Sequence, residues 1–200
     1  MMKGIRMTDK KIANSFRILA ASNLSKGERQ VDDFYVIEPK AMELLLQEES
    51  FNKDVWECAC GQGHLSKVLV EHGYNVKSTD LIYRNYGVGG IDFLLTTEHW
   101  GGCIITNPPY KYALEFIKHA LDLITEGEKA AMFLKLQFLE GKTRKEFFIN
   151  NPPKTIYVSS GRLNCAKDGK FEEYPSSAVA FAWFVWEKGY KGSPQVKWIN

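Results

Sequence analysis

The chain has 200 residues, of which 44% are hydrophobic and 25% are charged. A chain of this length can bury one good core but is short for two, so its size predicts a single domain. We therefore expect a basic amino-terminal segment, residues 1–30, followed by one catalytic domain, residues 31–200, with no separate target-recognition domain.

Charge is unevenly placed along the chain, although the formal net charge is only +2. Residues 1–30 carry seven Lys and Arg side chains against two acidic ones, so this segment is net +5 and the rest is −3. Basic side chains that neutralise phosphates release counterions, which predicts a phosphate contact for this segment. A solvated helix face is the alternative interpretation.

The cysteines and the apolar runs indicate the compartment. Cys58, Cys60, Cys103 and Cys165 lack the spacing of a disulfide scaffold, and the start of the chain is too charged for a secretory signal. The longest apolar run, residues 178–186, is far shorter than the roughly 20 residues that span a bilayer. We expect a cytoplasmic protein with no membrane span. We also expect no metal, because nothing completes a four-ligand site around Cys58 and Cys60.

Short apolar runs alternate with amphipathic stretches, which predicts an α/β domain with a mainly parallel sheet. The predicted helices are residues 9–21, 40–49, 65–72, 112–124 and 143–149. The predicted strands are residues 54–58, 75–79, 103–106, 130–134, 155–158 and 179–186. Asp168 and Gly169 predict a turn between the last two strands, which would make these strands antiparallel neighbours at one end of the sheet. Trp183, Phe184 and Trp186 are expected to be core on both sheet faces.

A glycine turn joins the first predicted strand to the next helix. Gly61 and Gly63 allow the backbone to approach a ligand closely, because glycine has no side chain. Asp80 follows Gly63 by 17 residues at the end of the second strand, where a carboxylate can accept hydrogen bonds from both ribose hydroxyls of a nucleoside cofactor. Leu65 and Ser66 stand where dehydrogenases usually have a third glycine, which favours a cofactor without a pyrophosphate.

Asn107, Pro108, Pro109 and Tyr110 follow the apolar strand at residues 103–106. The two prolines predict a rigid turn at the carboxyl end of that strand, where α/β proteins bind ligands. Such a turn can aim the Asn107 amide oxygen and the Pro108 carbonyl at the two hydrogens of one amino group. These two acceptors would localise the lone pair on the amino nitrogen, which favours its alkylation. Tyr110 can then stack on a base that has been flipped out of a duplex.

Taken together, the Glu57–Gly63 motif and the Asn-Pro-Pro-Tyr turn resemble the class I S-adenosylmethionine-dependent methyltransferases, specifically their amino-methyltransferase branch. The resemblance covers the chain from about residue 31 to its end. It implies S-adenosylmethionine as cofactor and a Rossmann-like fold: a mainly parallel seven-stranded sheet with a reversed last strand and helices on both faces. Residues 179–198 look similar to small phage or prophage DNA adenine methyltransferases, which implies methylation of the N6 amino group of adenine in DNA.

The resemblance also implies roles for individual residues. Asn107, Pro108, Pro109 and Tyr110 would be catalytic. Glu57 would face the methionine amino group, Asp80 the ribose, and Asp92 with Phe93 the adenine ring of the cofactor. The full set of implied cofactor-binding residues is Phe34, Tyr35, Pro39, Glu57, Ala59, Gly61, Gly63, Asp80, Asp92, Phe93 and Asn107. Ile37 and Glu38 stand where the family usually has threonine, so only the helix-starting role of Pro39 is carried over.

The segment between the last two predicted strands holds cations, an amide and aromatic residues. We expect it to contact DNA together with the basic amino-terminal segment, through Arg162, Asn164, Lys167 and Lys170. An ordinary surface hairpin is the alternative interpretation.

Two other classes of function fit part of the pattern. The same turn can grip the side-chain amide of a protein glutamine or an adenine in RNA. Glutamine enzymes of this type usually carry an amino-terminal helical domain, whereas only about 30 residues precede the motif region here. A non-catalytic protein that binds the cofactor or a partner is the other alternative. It has no chemical need for Glu57, Asp80, Asn107 and Tyr110, which are all present.

Overall fold

The computed structural model describes residues 35–163, 165–167 and 179–200, with backbone alone for Tyr35 and for residues 165–167. The predicted helix at residues 9–21 and the predicted turn at Asp168 and Gly169 lie outside the described residues. The four α-helices of the described chain are α1 (Lys40–Glu48), α2 (His64–Glu71), α3 (Ala113–Leu123) and α4 (Lys142–Asn150). Short 3₁₀ helices cover Phe93–Leu95, Tyr110–Tyr112 and Leu136–Leu139.

The strands of the described chain are β1 (Tyr35–Ile37), β2 (Asp54–Glu57), β3 (Asn75–Ser78), β4 (Cys103–Thr106), β5 (Lys129–Lys135), β6 (Thr155–Ser159), β7 (Cys165–Lys167), β8 (Phe181–Glu187) and β9 (Gln195–Ile199). Every predicted helix and strand within the described ranges is present, with ends shifted by no more than about two residues. Three strands, β1, β7 and β9, were not predicted.

Seven strands form one sheet in the order β3-β2-β4-β5-β8-β6-β9. All neighbouring strands are parallel except at β8, which runs antiparallel to both β5 and β6. This arrangement confirms the predicted α/β fold, its reversed strand and the antiparallel neighbours β6 and β8. The reversed strand is followed by β9, which pairs in parallel with β6 and forms the edge of the sheet.

Side chains that alternate along the strands build two cores, one on each face of the sheet. On one face, Phe133 and Trp183 belong to an apolar cluster with residues of α1 and α2. On the other, Met132, Phe184 and Trp186 belong to a cluster with residues of α3 and α4. Because helices cover both faces, β8 is buried from its first residue to Trp186, as predicted for its aromatic residues.

Hydrogen bonds from the buried indole N–H groups tie the sheet to its surroundings. Trp183 Nε1 donates to the carbonyl of Ala41 in α1 at 2.8 Å, and Trp186 Nε1 donates to the carbonyl of Asn151 after α4 at 3.1 Å. A buried indole needs such an acceptor, since an unsatisfied donor would cost about 1–3 kcal/mol. These bonds fix β8 against a helix on one face and a helix end on the other.

A separate two-stranded ribbon forms where β1 pairs antiparallel with β7, with Val36 opposite Ala166. Ile37 is buried in the same apolar cluster as Leu163 and Met42, so the ribbon lies on the face covered by α1 and α2. The segment predicted to contact DNA therefore contains a short strand, β7, that is anchored to the residues just before α1.

Candidate cofactor and target site

Three neighbouring parallel strands, β3, β2 and β4, end at the same edge of the sheet. Glu57 is the last residue of β2, Asp80 lies two residues after β3, and Asn107 directly follows β4. The carboxyl edge of such a sheet is where α/β proteins bind ligands. The fold therefore brings the three polar positions predicted from separate motifs to one edge.

Asp80 is hydrogen-bonded to the glycine turn. Its Oδ2 accepts from the backbone N–H of Gly61 at 2.8 Å, and its Oδ1 accepts from the N–H of Ile82 at 2.9 Å. The turn is further held to the strand end because Cys60 N–H donates to the carbonyl of Thr79 at 2.9 Å. A carboxylate offers about four lone-pair positions, so Asp80 keeps acceptor capacity for a ligand hydroxyl.

Gly63 ends the turn and caps α2 with a φ of +78°, in the left-handed region that favours glycine. The ring of Tyr86 packs against its Cα, and a Cβ at this position would overlap the ring carbons. Gly63 is therefore required twice, by its backbone conformation and by the close approach of Tyr86.

Glu57 is only 2% exposed, and its carboxyl accepts a hydrogen bond from the Ser66 hydroxyl of α2. Ser66 Oγ is also 2.6 Å from Ser78 Oγ at the end of β3. Burial raises the pKa of Glu57 to about 8, and the charge of Asp80 contributes in the same direction. Glu57 thus links β2, α2 and β3 in the free protein, and its contact with a methionine amino group stays a prediction.

Asp92 and Phe93 have different environments. Asp92 is half-buried and caps the 3₁₀ helix, with its Oδ1 accepting from the N–H of Leu94 at 3.0 Å. Phe93 is 2% exposed and packs on Trp56 and Phe116, with ring centroids 5.3 Å and 5.0 Å away. Phe93 is therefore a core residue of the α3 face. Its predicted contact with an adenine ring stays a prediction.

The Asn-Pro-Pro-Tyr turn lies between the fully buried strand β4 and α3. Asn107 is half-buried and Pro108 is buried, and Pro109 adopts φ −54° and ψ 118° before the 3₁₀ helix that begins at Tyr110. The prolines end the strand because they cannot continue its hydrogen bonding. The chain here turns directly after β4, at the position that the sequence predicts.

Tyr110 lies among aromatic and cationic side chains from β5 and β8. Its ring centroid is 5.9 Å from that of Phe181, which stacks on Phe133 with centroids 5.3 Å apart. Lys135 Nζ lies over the Tyr110 ring, 4.9 Å from its centroid. The sequence motifs did not single out Lys135, and only the pairing of β4, β5 and β8 brings it to this position.

The remaining predicted residues are placed as follows. Pro39 precedes the first residue of α1, and its carbonyl accepts from Met42 N–H at 2.9 Å, which confirms its role as a helix start. Ala59 is half-buried in the glycine turn, and Arg162 is exposed after β6. Tyr35 and Lys167 pair through their backbones in the β1–β7 ribbon. Phe34, Asn164 and Lys170 lie outside the described residues.

The cysteines near this edge are buried thiols. Burial raises the pKa of Cys60 to about 12 and that of Cys58 well above its usual range. Neither is a thiolate near neutral pH, so neither is an activated nucleophile. Within the described ranges, no three His, Cys, Asp or Glu side chains cluster to hold a metal, and no helix is long and apolar enough to cross a membrane.

A groove of about 890 Å³ opens beside β3, and no sequence motif predicts it. Trp56, Lys77, Thr79, Val88 and Leu95 contribute to its lining. Two of these lining residues are in contact, with Lys77 Nζ 4.1 Å from the Trp56 ring centroid. None of the residues predicted to bind cofactor or target lines this groove, so it lies beside the candidate site.

The strand order, with one reversed strand and polar positions at the carboxyl ends of β2, β3 and β4, defines a Rossmann-like fold of the class I methyltransferase type. Solved structures agree with this assignment. The chain is similar to a protein from Listeria monocytogenes described as a class I S-adenosylmethionine-dependent methyltransferase, with a TM-score of 0.59, 11% identity and coverage of 98% of this chain and 75% of that one.

Two further structures have similar scores. A protein from Vibrio vulnificus YJ016, described as the modification subunit of a type I restriction enzyme, has a TM-score of 0.57 and 13% identity over 97% of this chain. This chain spans about half of that subunit, 51%. A protein from Lactococcus lactis described as a hemolysin has a TM-score of 0.56 and 13% identity, with coverage of 80% and 91%. No family model and no curated protein sequence matches the chain. Identities this low establish the fold and leave the activity to be argued from the site.

Proposed function

We propose that this protein transfers a methyl group from S-adenosylmethionine to the exocyclic N6 amino group of adenine in DNA. The observation that carries the proposal is the position of the Asn107–Tyr110 turn. It follows β4 directly, on the sheet edge where the Gly61–Asp80 hydrogen bond closes the neighbouring turn. The residues proposed to bind the nucleoside cofactor follow β2 and β3, and the turn proposed to grip an amino nitrogen follows β4, the other neighbour of β2.

The residues at the ends of β2 and β3 fit S-adenosylmethionine. Asp80 has remaining lone pairs for the ribose hydroxyls, and the glycine turn lets the backbone approach the ligand where side chains would obstruct it. The turn has no third glycine of the kind that seats a pyrophosphate, in agreement with a cofactor that has none. Such a cofactor supplies an electrophilic methyl group on a sulfonium.

Asn107 and Pro108 would act on the target nitrogen. The lone pair of an aromatic amino group is delocalised into its ring, which makes the nitrogen a poor nucleophile. When the Asn107 amide oxygen and the Pro108 carbonyl accept its two hydrogens, the nitrogen becomes more tetrahedral and its lone pair points at the methyl carbon. Fixed acceptors of this kind act by positioning and electrostatic preorganisation. The new N–C bond would form as the C–S bond of the sulfonium breaks, which leaves a neutral thioether as the second product. The methylated nitrogen would then release its extra proton to water, so no general base is required.

Target binding would involve the surface near the β1–β7 ribbon. Arg162 is exposed, and β7 pairs with β1 just before α1. We propose that Arg162, Asn164, Lys167 and Lys170, together with residues 1–30, contact DNA phosphates or base edges. With so few reading groups, the recognised sequence should be short or relaxed, and binding should weaken as salt increases.

The test is to offer DNA, RNA and a protein extract in parallel to the purified protein with a methyl-labelled donor. The labelled product is then digested and identified as a modified nucleoside or amino acid. We expect N6-methyladenine from DNA. Label in RNA, in glutamine or in cytosine would overturn the assignment of the target. Cofactor binding without label in any substrate would instead favour a non-catalytic protein.

A further inference from the structure

Lys135 is the last residue of β5, and its backbone pairs with Phe181 of β8. Its side chain extends to the Tyr110 ring, with Nζ 4.9 Å from the ring centroid. The ion pairs with lysine that the described chain forms are Lys129–Glu49 and Lys154–Glu187, and neither includes Lys135. Among the described residues, the Lys135 ammonium contacts the Tyr110 ring and no carboxylate. Its positive charge is therefore not neutralised by an acidic side chain there.

The contact between Lys135 and Tyr110 uses the same ring that is proposed to stack on the target base. Phe181 already lies beside this ring, with planes inclined by 31°. A cation and a base both bind an aromatic ring through its face. A base that stacks on the face covered by Lys135 must therefore displace the ammonium.

We propose that Lys135 is a binding residue for the phosphate of the flipped nucleotide, a role that rests on the proposed function. In the free protein its ammonium lies over Tyr110. When the base takes that face, the ammonium moves to the phosphate, which is one sugar away from the base. The flexible four-carbon stem of lysine permits this movement, and its ammonium binds phosphate as a compact point charge.

The position of Lys135 favours a nucleotide over a polypeptide substrate. A glutamine side chain that reached Asn107 would bring no phosphate, and displacing Lys135 from the ring would then leave its charge without a partner from the substrate. A phosphodiester one sugar away from the base offers the displaced ammonium a charged partner in place of the neutral ring. Lys135 therefore links the catalytic turn to the chemical class of the substrate.

The experiment compares Lys135→Gln with the wild-type chain, using unmethylated genomic DNA as substrate over a series of salt concentrations. We expect KM for DNA to rise about three- to tenfold at low salt, with kcat within about twofold. The slope of log affinity against log salt, measured with a fluorescein-labelled random-sequence oligodeoxynucleotide, should become shallower by about 0.7–0.9, the value for one phosphate contact. Lys135→Arg, which keeps the charge, should restore the slope.

Lys53→Gln is the matched control. Lys53 Nζ also lies over a tyrosine ring, 4.6 Å from the centroid of Tyr74. Lys53 directly precedes β2, so it lies at the amino ends of the strands, whereas the candidate site lies at their carboxyl ends. It should leave KM and the salt slope unchanged. A wild-type slope in Lys135→Gln, or an equal change in both variants, would overturn the proposal. The wild-type arm reports separately on the proposed function, because that function fails if wild-type protein does not methylate DNA.

Discussion

Asp80 Oδ2 accepts the backbone N–H of Gly61 at 2.8 Å, and this bond joins the loop after β3 to the turn after β2. The two residues are 19 positions apart in sequence, and each was predicted to bind the cofactor for its own reason. The proposed function gives Asp80 a second role beside this contact. The carboxylate holds the glycine turn in place, and its remaining lone pairs would accept from the ribose hydroxyls.

The first prediction concerns this pair. Asp80→Ala should weaken S-adenosylmethionine binding by about 1–3 kcal/mol, the cost of leaving a hydrogen-bonding group without its partner. Calorimetric titration of the purified variant measures this affinity directly. Asp54→Ala is the control, because Asp54 is an exposed carboxylate at the other end of β2 that accepts a hydrogen bond from Asn75. Unchanged affinity in Asp80→Ala would remove Asp80 from the site.

A second prediction separates backbone strain from packing at the glycine turn. Gly63 and Gly90 have φ values of +78° and +79°, but a Cβ at Gly63 would overlap Tyr86 whereas one at Gly90 would meet nothing within 4 Å. Gly90→Ala should lose about 1–2 kcal/mol of unfolding free energy through left-handed strain alone. Gly63→Ala should lose more in the same urea denaturation experiment.

Adding Tyr86→Ala to Gly63→Ala should recover part of the difference, because the overlapping ring is then absent. Equal losses in the two single glycine variants would show that Tyr86 does not constrain the turn.

A third prediction follows from the buried carboxyl of Glu57. Burial raises its pKa to about 8, from an ordinary value of 4.5. Between these values the folded protein keeps a proton that the unfolded chain releases, so the free energy of unfolding should fall as pH rises from about 5 to 8. Glu57→Gln has no such proton and keeps an acceptor for Ser66. Between pH 5 and 8, the variant should therefore lose less unfolding free energy than wild type, and the difference should be at least about 1 kcal/mol.

Chemical denaturation at several pH values provides this comparison. Glu71→Gln is the control, because Glu71 is an exposed residue at the end of α2 and its substitution should leave the wild-type pH dependence intact. Parallel pH profiles for wild type and Glu57→Gln would mean that Glu57 is ionised in the folded protein.

The main sheet could be predicted from sequence because its central strands are continuous apolar runs. Phe181–Glu187 and Cys103–Thr106 are buried on both faces, and such strands are recognisable without knowing their partners. The strand β9 could not be predicted, since four of its five residues are exposed and it is defined by pairing with β6. The three-residue strands β1 and β7 are likewise defined by pairing with each other.

In the candidate site, too, some positions could be predicted from the sequence and others depend on packing between strands. The positions of Asp80 and Asn107 follow from motifs that end predicted strands. The packing of Phe93 against Trp56 could not be predicted, because a buried aromatic residue and one that faces a cofactor have the same sequence pattern. The approach of Lys135 to Tyr110 depends on the register between β5 and β8, which no local pattern encodes.

The central claim is that the turn after β4 acts on the target nitrogen, and Asn107→Ala tests it most directly. The measurement is the initial rate of N6-methyladenine formation in unmethylated DNA, paired with the S-adenosylmethionine affinity of the same preparation. The account predicts loss of methyl transfer with cofactor affinity within a few-fold of wild type, because the Asn107 amide acts on the amino group of the target. Asn75→Ala, at the amino end of β3, should retain both properties. Wild-type turnover in Asn107→Ala would contradict the account.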